Sequence, residues 1–325
     1  MEVCTYTNAI ANGWHPADLD RFLGGNEETL VLWSRAMARA GHRVTVHTTL
    51  RGKEFVDPHG VSWRQRESFS PHRATDVLIS FKTREPWMFP TQAGLRIHWS
   101  NDVEPPWSNG LLRQIDHFVY LSTMHGEHVP WKPEGRSVMI PLAVDPHEYR
   151  PGDSRDEHLA IYATSPDRGL DILLKDWPRL QVTHPGLRLL VTYDWARVHP
   201  QALAQWAPLL NQPGITRDTF DADGIKEAFQ TARFYIHTLN RNASDLFGFG
   251  AMKAEASGCA IVVPSVRDNG FRDSVKRYVP YADFLRGQTE PVENPDWQTP
   301  PMSWDAVVAE YWQPLLSGKG VRHVA

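Results

Sequence analysis

Short apolar runs alternate with amphipathic stretches along the whole chain. Residues 27–40 place Leu30, Trp33 and Met37 on one face at helical spacing, and residues 44–48, rich in β-branched side chains, follow as a strand. The same patterns predict strands over residues 76–80, 95–99, 117–121, 138–141, 158–163, 187–192, 234–237 and 260–263. They predict helices over residues 169–177, 201–210, 223–231, 249–257 and 303–316. This alternation is typical of an α/β fold with two parallel sheets covered by helices.

The chain is long enough for two domains. It has 325 residues, and a polar segment with proline and glycine at residues 149–153 separates two halves of similar pattern. We therefore expect one parallel-sheet domain over residues 1–150, a second over residues 151–300, and a terminal segment, 301–325, that contains the last helix. In open parallel sheets, ligands bind beyond the carboxyl ends of the strands, so a cleft between two such domains is the expected site.

The composition excludes several classes of protein. The net charge is −4, with 16 basic against 17 acidic residues in positions 1–150 and 18 against 21 in the remainder, so neither half has the positive excess of a nucleic-acid-binding domain. Two cysteines, Cys4 and Cys259, are too few for a disulfide framework, and we expect a reducing, cytoplasmic location. No apolar run approaches the roughly 18 residues of a membrane span, and we expect no secretory signal.

The first segment that suggests chemistry opens the helix predicted over residues 27–40. It reads Gly24, Gly25, Asn26 and Glu27. Glycines let a ligand approach the backbone closely, and the N–H groups at a helix start attract an anion such as phosphate. The alternative is an ordinary turn in which Asn26 caps the helix and the acidic residues favour its dipole.

The second segment, Ser-Pro-Asp-Arg-Gly-Leu at residues 165–170, joins a predicted strand to a predicted helix. Arg168 would lie at the carboxyl edge of the second sheet, where its guanidinium can bind a diphosphate through two parallel hydrogen bonds. The alternative is a surface arginine in a turn that contains proline.

The third segment, residues 245–264, is a loop that starts with Asp245, then a helix rich in small residues, a glycine cap and a buried strand. Its Gly248 and Gly250 do not form a dinucleotide-binding fingerprint, because the preceding strand ends near residue 237 and the third glycine is missing. We expect Asp245 at the mouth of a ligand site.

These three segments, in this order, resemble the GT-B-fold retaining glycosyltransferases of family four, which transfer sugars from nucleotide-sugar donors. Residues 140–145, Ile-Pro-Leu-Ala-Val-Asp, also resemble a strand end of that family, and the last helix resembles the one that crosses back to the N-terminal domain. The resemblance implies two Rossmann-like domains that face each other across a cleft, with the acceptor on the first and the donor on the second. It implies a UDP- or GDP-sugar as the donor.

The resemblance also implies roles for individual residues. Arg168 would hold the diphosphate and stabilise the leaving nucleotide, Asp245 would contact the transferred sugar, and the backbone N–H of Gly25 would lie near the donor phosphates. Asn101 and Asp102 would contact the sugar or the acceptor, with His98 as a weaker candidate. The donor-binding residues would be Gly24, Gly25, Ser165, Arg168, Phe247, Gly248 and Lys253.

Two positions depart from the family pattern. A glutamate that usually holds the donor ribose is replaced by Lys253, and Glu255 cannot substitute because two residues along a helix turn a side chain by about 200°. Lys253 would contact ribose or phosphate, or else it is a solvated helix lysine. Ala163 stands where the family has a second arginine, so Arg168 would act alone or with Lys253.

The resemblance therefore implies a retaining glycosyltransferase. The pair His125 and His128 lacks the further ligands of a metal site, and the resembled family needs no metal. We expect the acceptor hydroxyl to attack on the face of the leaving diphosphate, which takes the proton. The acceptor would be a glycan or other small molecule, and the charge count argues mildly against a membrane lipid.

Two alternatives stay open. The first is a DNA glycosyltransferase of viral type that modifies hydroxymethylated bases, because residues 51–96 hold eight basic residues against five acidic ones, interleaved with aromatic side chains. That stretch is equally explained as a solvated loop. The second is a protein that binds a nucleotide sugar or glycan without catalysis. The replacement of the family's glutamate by Lys253 is the reason to consider it.

Overall fold

The computed structural model describes residues 1–8, 13–21, 23–193, 195, 198–240, 245–266 and 270–318. Two compact units are present in this part of the chain. The first contains residues up to 143, except for a short stretch near residue 20, together with residues from 302 onward. The second contains residues 144–301 together with that short stretch, residues 20–22. Each unit is built around one sheet in which nearly all strands are parallel.

The sheet of the first unit has eight strands. In chain order they are β1 (Glu2–Tyr6), β2 (Arg43–Thr48), β3 (Phe55–Val56), β4 (Ser62–Gln65), β5 (Thr75–Phe81), β6 (Ala93–Trp99), β7 (His117–Tyr120) and β8 (Ser137–Met139). Their order across the sheet is β3-β4-β2-β1-β5-β6-β7-β8, and only β3 and β4 pair in antiparallel fashion. The carboxyl ends of β1, β5, β6 and β7 therefore meet at one edge of this sheet.

The sheet of the second unit has seven strands. They are β9 (Asp156–Tyr162), β10 (Arg188–Thr192), β11 (Ile215–Asp218), β12 (Ala232–Ile236), β13 (Ala260–Val263), β14 (Arg277–Pro280) and β15 (Val292–Glu293). Their order is β11-β10-β9-β12-β13-β14-β15, and only β15 is antiparallel to its neighbour. Because β9 and β12 are parallel neighbours, the loops that follow them start side by side.

Helices cover the sheets. They are α1 (Gly25–Arg39), α2 (Asn109–Leu112), α3 (Thr123–His128), α4 (Leu170–Thr183), α5 (Pro200–Leu210), α6 (Ala222–Thr231), α7 (Phe249–Ala256), α8 (Phe271–Ser274), α9 (Tyr281–Phe284), α10 (Trp304–Val307) and α11 (Gln313–Leu316). A π-helical turn, Val308–Trp312, joins α10 to α11. Over the described ranges, no helix has the length and apolar character that a membrane crossing requires.

The predicted strands and helices are all confirmed, with shifts at their ends. The clearest error at an end concerns α4, which the sequence predicts to stop at residue 177. The helix continues through Pro178 to Thr183. Proline lacks the N–H that would bond to the carbonyl of Leu174, and the Nε2 group of Gln212 donates to that carbonyl instead, at 2.7 Å. A contact 38 residues away therefore offsets the helix-breaking effect of the proline.

The strands that the sequence analysis missed include the centre of the first sheet. β1 lies between β2 and β5, and its alternation of Glu2 and Cys4 with Val3 and Thr5 is too short and too polar to mark it as a strand. β11 and β14, of four residues each, were also missed. These strands are specified by pairing with neighbours rather than by their own composition.

Four tryptophans form a cluster that joins the terminal helical segment to the first unit. Trp312 packs against Trp33 of α1 and Trp99 of β6, with ring centroids 5.1 Å and 4.9 Å apart, and Trp304 lies 6.5 Å from Trp99. All four rings are buried, and their indole N–H groups have no hydrogen-bond partner among the described residues. The cluster therefore stabilises the fold by apolar burial and ring packing alone.

We predict that Trp312→Ala lowers the free energy of unfolding of the first unit by about 3–5 kcal/mol, because it removes a fully buried ring that packs against both Trp33 and Trp99. Trp312→Phe should be much milder, since no hydrogen bond is lost. The matched control is the equally buried Trp177, whose Nε1 donates to the carbonyl of Pro213 at 2.9 Å. Trp177→Phe should cost about 1–2 kcal/mol more than Trp312→Phe in denaturant titrations. Equal costs would contradict this account.

Each unit also contains a buried histidine. In His125, the Nδ1 atom accepts from the Leu121 N–H at 3.2 Å, so the ring proton is on Nε2, which donates to the carbonyl of Asp102 at 3.0 Å. In the second unit, His237 follows β12. Burial lowers the pKa of both imidazoles to about 4. Both rings are therefore neutral in the folded protein at pH 7.

We predict that stability falls as the pH decreases from about 6.5 to 4. In this interval the unfolded histidines bind protons that the folded ones exclude, so each contributes a loss of up to about 3 kcal/mol. The test is denaturant unfolding between pH 7 and pH 5 for the natural sequence and for His125→Gln and His237→Gln. Each variant should show a shallower dependence on pH, and an unchanged slope would refute the assignment.

Candidate functional site

The carboxyl edge of the second sheet brings the Arg168 turn against the loop that follows β12. Arg168 ends a short 3₁₀ turn, Pro166–Arg168, and Gly169 then caps α4. Gly169 has φ +134°, and a Cβ atom on it would lie 2.8 Å from the carbonyl oxygen of Thr238. Only glycine fits this conformation and this close approach without strain.

Hydrogen bonds hold the two loops together. The hydroxyl of Thr238 donates to the carbonyl of Gly169 at 2.6 Å, and the backbone N–H of Asn240 donates to the carbonyl of Arg168 at 2.9 Å. The side-chain amide of Asn240 donates to the carbonyl of Asp167. The backbone of Arg168 is therefore positioned from both sides, at the N-terminus of a 14-residue helix whose dipole favours anions. Ser165 donates its hydroxyl to the carboxylate of Asp167.

Asp245 organises the turn before α7. Its Oδ1 atom accepts from the backbone N–H groups of Phe247 at 3.1 Å and Gly248 at 2.5 Å. Gly248 is left-handed, with φ +74°, and a Cβ atom there would lie 2.5 Å from the ring of Phe271. The N–H groups of Phe247 and Gly248 are thus directed at Asp245. The side chain of Asp245 keeps 18% of its surface exposed.

His237 is a residue of this region that sequence reasoning missed. Its Nδ1 atom lies 3.9 Å from Oδ2 of Asp245 and 3.4 Å from the hydroxyl of Tyr235. Its ring packs edge-on against Phe271, and Nε2 has no hydrogen-bond partner among the described residues. Burial lowers its pKa most, and the charge of Arg168 lowers it further, while Asp245 opposes the shift. The sequence signal that could have identified His237 is its position at the end of the strand predicted over residues 234–237.

Lys253 is buried, so its interpretation as a solvated helix lysine is wrong. Its side chain is only 9% exposed, and Nζ lies 4.0 Å from the ring centroid of Phe249 and 5.2 Å from that of Tyr149. Such cation–π contacts are favourable where water is excluded. Glu255 points elsewhere, because its carboxylate accepts from the backbone N–H groups of Lys276 and Arg277 at 2.9 Å and 2.8 Å. It supports the start of β14.

In the first unit, α1 starts at Gly25 and is capped by Gly24, so the expectation that Asn26 is the N-cap is wrong. No side chain caps this helix end. The helix has 15 residues and carries Glu27 and Glu28 in its first turn. The structure therefore provides the glycine-containing helix start that the sequence predicts, and leaves its phosphate contact as a prediction.

His98 lies in the core and cannot touch a ligand, which corrects its candidacy as a contact residue. The ring is fully buried, Nδ1 lies 2.7 Å from Oγ of Ser80, and Nε2 lies 2.8 Å from Oε1 of Glu104. Trp87 and Trp107 bond to Ser80 and Glu104 in turn. Burial would raise the pKa of Glu104, but the bond from His98 and the other hydrogen bonds lower it overall.

Asn101 and Asp102 follow β6 at the carboxyl edge of the first sheet. Asn101 is buried, and its Oδ1 atom has no hydrogen-bond partner among the described residues. Asp102 has the opposite character, since 60% of its side chain is exposed. Its Oδ2 atom forms an ion pair with Nζ of Lys82 at 3.0 Å. Of the two predicted contact residues, only Asp102 is exposed to a ligand.

Carboxylates neutralise most of the basic residues between positions 51 and 96. The ion pairs are Arg51 with Asp18, Arg64 with Glu54, Arg66 with Glu67, Arg73 with Glu2, Lys82 with Asp102 and Arg96 with Asp116. Six of the eight basic side chains in this stretch therefore have an acidic partner, which weakens the case for a phosphate-binding surface.

The described residues provide neither a metal-binding cluster nor a reactive thiol. Among the residues whose structure is described, no group of three or more histidine, cysteine, aspartate or glutamate side chains could hold a metal ion. The two cysteines are unpaired, and burial raises the pKa of Cys4 to about 12 and that of Cys259 to about 11. Neither thiol is a nucleophile at pH 7.

The fold is that of known glycosyltransferases. No protein-family model matches this sequence, and a search of curated proteins finds no match. Among solved structures, HepE of Anabaena in complex with UDP-glucose has a TM-score of 0.60 at 13% identity, covering 100% of this chain and 92% of that one. A glycosyltransferase of Rickettsia africae gives 0.59 at 12%, with 81% and 78% covered. WaaG, a glycosyltransferase of lipopolysaccharide biosynthesis, gives 0.57 at 14%, with 88% and 83% covered. At these identities the likeness establishes the fold, and the predicted α/β fold of the GT-B type is confirmed.

Proposed function

We propose that this protein transfers a sugar from a UDP- or GDP-sugar to an acceptor hydroxyl, with retention of anomeric configuration. The observation that carries the proposal is the Arg168 turn, which two hydrogen-bonded loops hold at a strand end and a helix start. Structures of the similar HepE contain UDP, UDP and glucose, or UDP-glucose. The first unit would take the acceptor and the second the donor, the roles that the sequence predicts for domains 1–150 and 151–300.

The proposed mechanism is electrostatic. As the bond from the anomeric carbon to the diphosphate breaks, Arg168 and the N-terminus of α4 stabilise the charge that develops on the phosphate, so no metal ion is needed. Two backbone N–H groups bond to Oδ1 of Asp245 and draw charge from its carboxylate, which makes it a weaker nucleophile. The acceptor hydroxyl then attacks on the side of the leaving group, and the departing phosphate takes its proton. A cytoplasmic location fits two free cysteines.

The donor experiment measures the melting temperature with UDP, GDP, ADP and dTDP, and then calorimetric affinity for the nucleotide that shifts it. A ligand at 100 times its dissociation constant adds about 2.7 kcal/mol. We predict that Arg168→Ala weakens binding of the nucleoside diphosphate about tenfold or more. Its affinity for the nucleoside without phosphate groups should not change.

The control for Arg168 is Arg188→Ala in the same unit, which removes an exposed arginine paired with Asp156. It should bind like the natural sequence. A nucleoside diphosphate that binds Arg168→Ala undiminished would remove the central support for the proposed site.

Asp245 offers a test that separates a catalytic from a structural role. Asp245→Asn keeps an oxygen that accepts from the two N–H groups, whereas Asp245→Ala loses it and should cost about 1–2 kcal/mol of stability. If Asp245 contacts the transferred sugar, both variants should lose about 100-fold in the rate of nucleotide release from the bound nucleotide sugar. Full activity in a stable Asp245→Asn variant would show that the carboxylate only shapes the turn.

One alternative keeps specific support. Lys253 is packed between aromatic rings at the position where the resembled family has a glutamate, so a protein that binds nucleotide sugars without transferring them is the second candidate. It predicts tight binding with no release of nucleotide under any condition. The six ion pairs of residues 51–96 weaken the DNA-modifying alternative, because they neutralise most of the basic side chains there.

A further inference from the structure

Three polar side chains that are buried or nearly so converge on one exposed residue, Asp102. Its carbonyl oxygen accepts from the hydroxyl of Ser100 at 3.2 Å and from Nε2 of His125 at 3.0 Å. Its carboxylate is paired with Lys82 at 3.0 Å. Ser100 and His125 are fully buried, and the Lys82 side chain is 11% exposed, whereas that of Asp102 is 60% exposed.

Lys82 reaches Asp102 through an unusual backbone conformation. Its φ is +58°, the only positive value for a residue other than glycine in the described part of the chain. Its N–H donates to the carbonyl of Trp99 at 3.0 Å, and β5 and β6 are paired up to Phe81 and Trp99. A left-handed lysine carries strain that glycine would avoid, and such strain persists where the surrounding structure holds it in place.

Stability alone does not account for this arrangement. An ion pair to an exposed carboxylate contributes little to folding, and buried polar groups are costly unless they are hydrogen-bonded. The neighbouring Asn101 adds a buried oxygen without a partner in the described structure. What the contacts do accomplish is to fix both the backbone and the carboxylate of Asp102 at the carboxyl edge of the first sheet, where parallel sheets bind ligands.

We propose that Lys82 and His125 are positioning residues for Asp102, and that Asp102 binds an uncharged, hydroxyl-rich acceptor such as a neutral glycan or polyol. This inference rests on the proposed function, which makes the molecule bound by Asp102 the acceptor of the sugar. An ionised carboxylate only accepts hydrogen bonds, so it fits hydroxyl groups, which donate. It repels phosphate and carboxylate groups, so phosphorylated sugars, uronic acids and DNA are disfavoured. Lys82 offsets part of this charge, but its side chain is only 11% exposed, so a ligand meets the carboxylate oxygens, which cannot donate a hydrogen bond to an anionic group.

The experiment measures binding of the full chain, with UDP present, to immobilised neutral oligosaccharides, to matched phosphorylated and uronic-acid oligosaccharides, and to duplex DNA with hydroxymethylated cytosine. We expect binding to neutral oligosaccharides only. Asp102→Asn should weaken it about tenfold or more, the effect of losing a charge-assisted hydrogen bond. Lys82→Asn should also weaken it, since asparagine tolerates the left-handed backbone but lacks the ammonium group, and Lys82→Arg should restore most of it.

The control is Lys175→Asn, which makes the same change in an exposed ion pair with Asp171 on α4 and should bind like the natural sequence. Melting temperatures exclude unfolding as the cause of any loss. Unchanged binding by Asp102→Asn or by a folded Lys82→Asn, binding to anionic probes, or no binding to neutral oligosaccharides would each overturn the inference. Nucleotide affinity, measured separately, reports on the proposed function. A chain that binds UDP but no neutral oligosaccharide fails this inference alone.

Discussion

The candidate site of the second unit depends on how closely two backbone segments approach at Gly169. A single Cβ atom there would meet the Thr238 carbonyl at 2.8 Å, so the contact exists only because the residue is glycine. Its consequence is that the loop after β9 is hydrogen-bonded to the loop after β12 along its length. The backbone of Arg168 thereby acquires a defined position. A fixed backbone at this position reduces the ordering that the guanidinium needs before it can stabilise developing charge.

In the first unit, a different set of contacts positions the candidate contact residue Asp102. Asp102 is exposed, and its position comes from Ser100, His125 and Lys82, which approach it from the interior. His125 can do so only as a neutral imidazole, because its Nδ1 atom already accepts from a backbone N–H. The low pKa of this buried ring thus keeps it in the neutral form that holds the Asp102 carbonyl, and it also lowers the stability of the protein at acidic pH. In the second unit, neighbouring groups fix the backbone of Arg168, and in the first unit they fix both the backbone and the carboxylate of Asp102.

Much of this could be predicted from the sequence, and the failures have a common physical cause. Strand–helix periodicity placed Arg168 and Asp102 after strands, because that information is local. The burial of Lys253 could not be predicted, since Tyr149, one of its two aromatic neighbours, lies 104 residues earlier in the chain. The same applies to His98, whose partners Ser80 and Glu104 come from separate segments. The left-handed backbone of Lys82 has no signature in composition at all.

The distribution of charge connects the two units to their proposed ligands. In the segment 245–264, both carboxylates accept from backbone N–H groups, Asp245 at the turn before α7 and Glu255 at the start of β14. That engagement screens their negative charge, while Arg168 and the start of α4 remain positive. The first unit shows the reverse, because its lysine is largely buried and its carboxylate is exposed. An anionic diphosphate fits the first pattern, whereas the exposed carboxylate of the second accepts hydrogen bonds and fits hydroxyl groups, which donate them. This difference in charge supports the proposal that the second unit takes the donor and the first unit the acceptor.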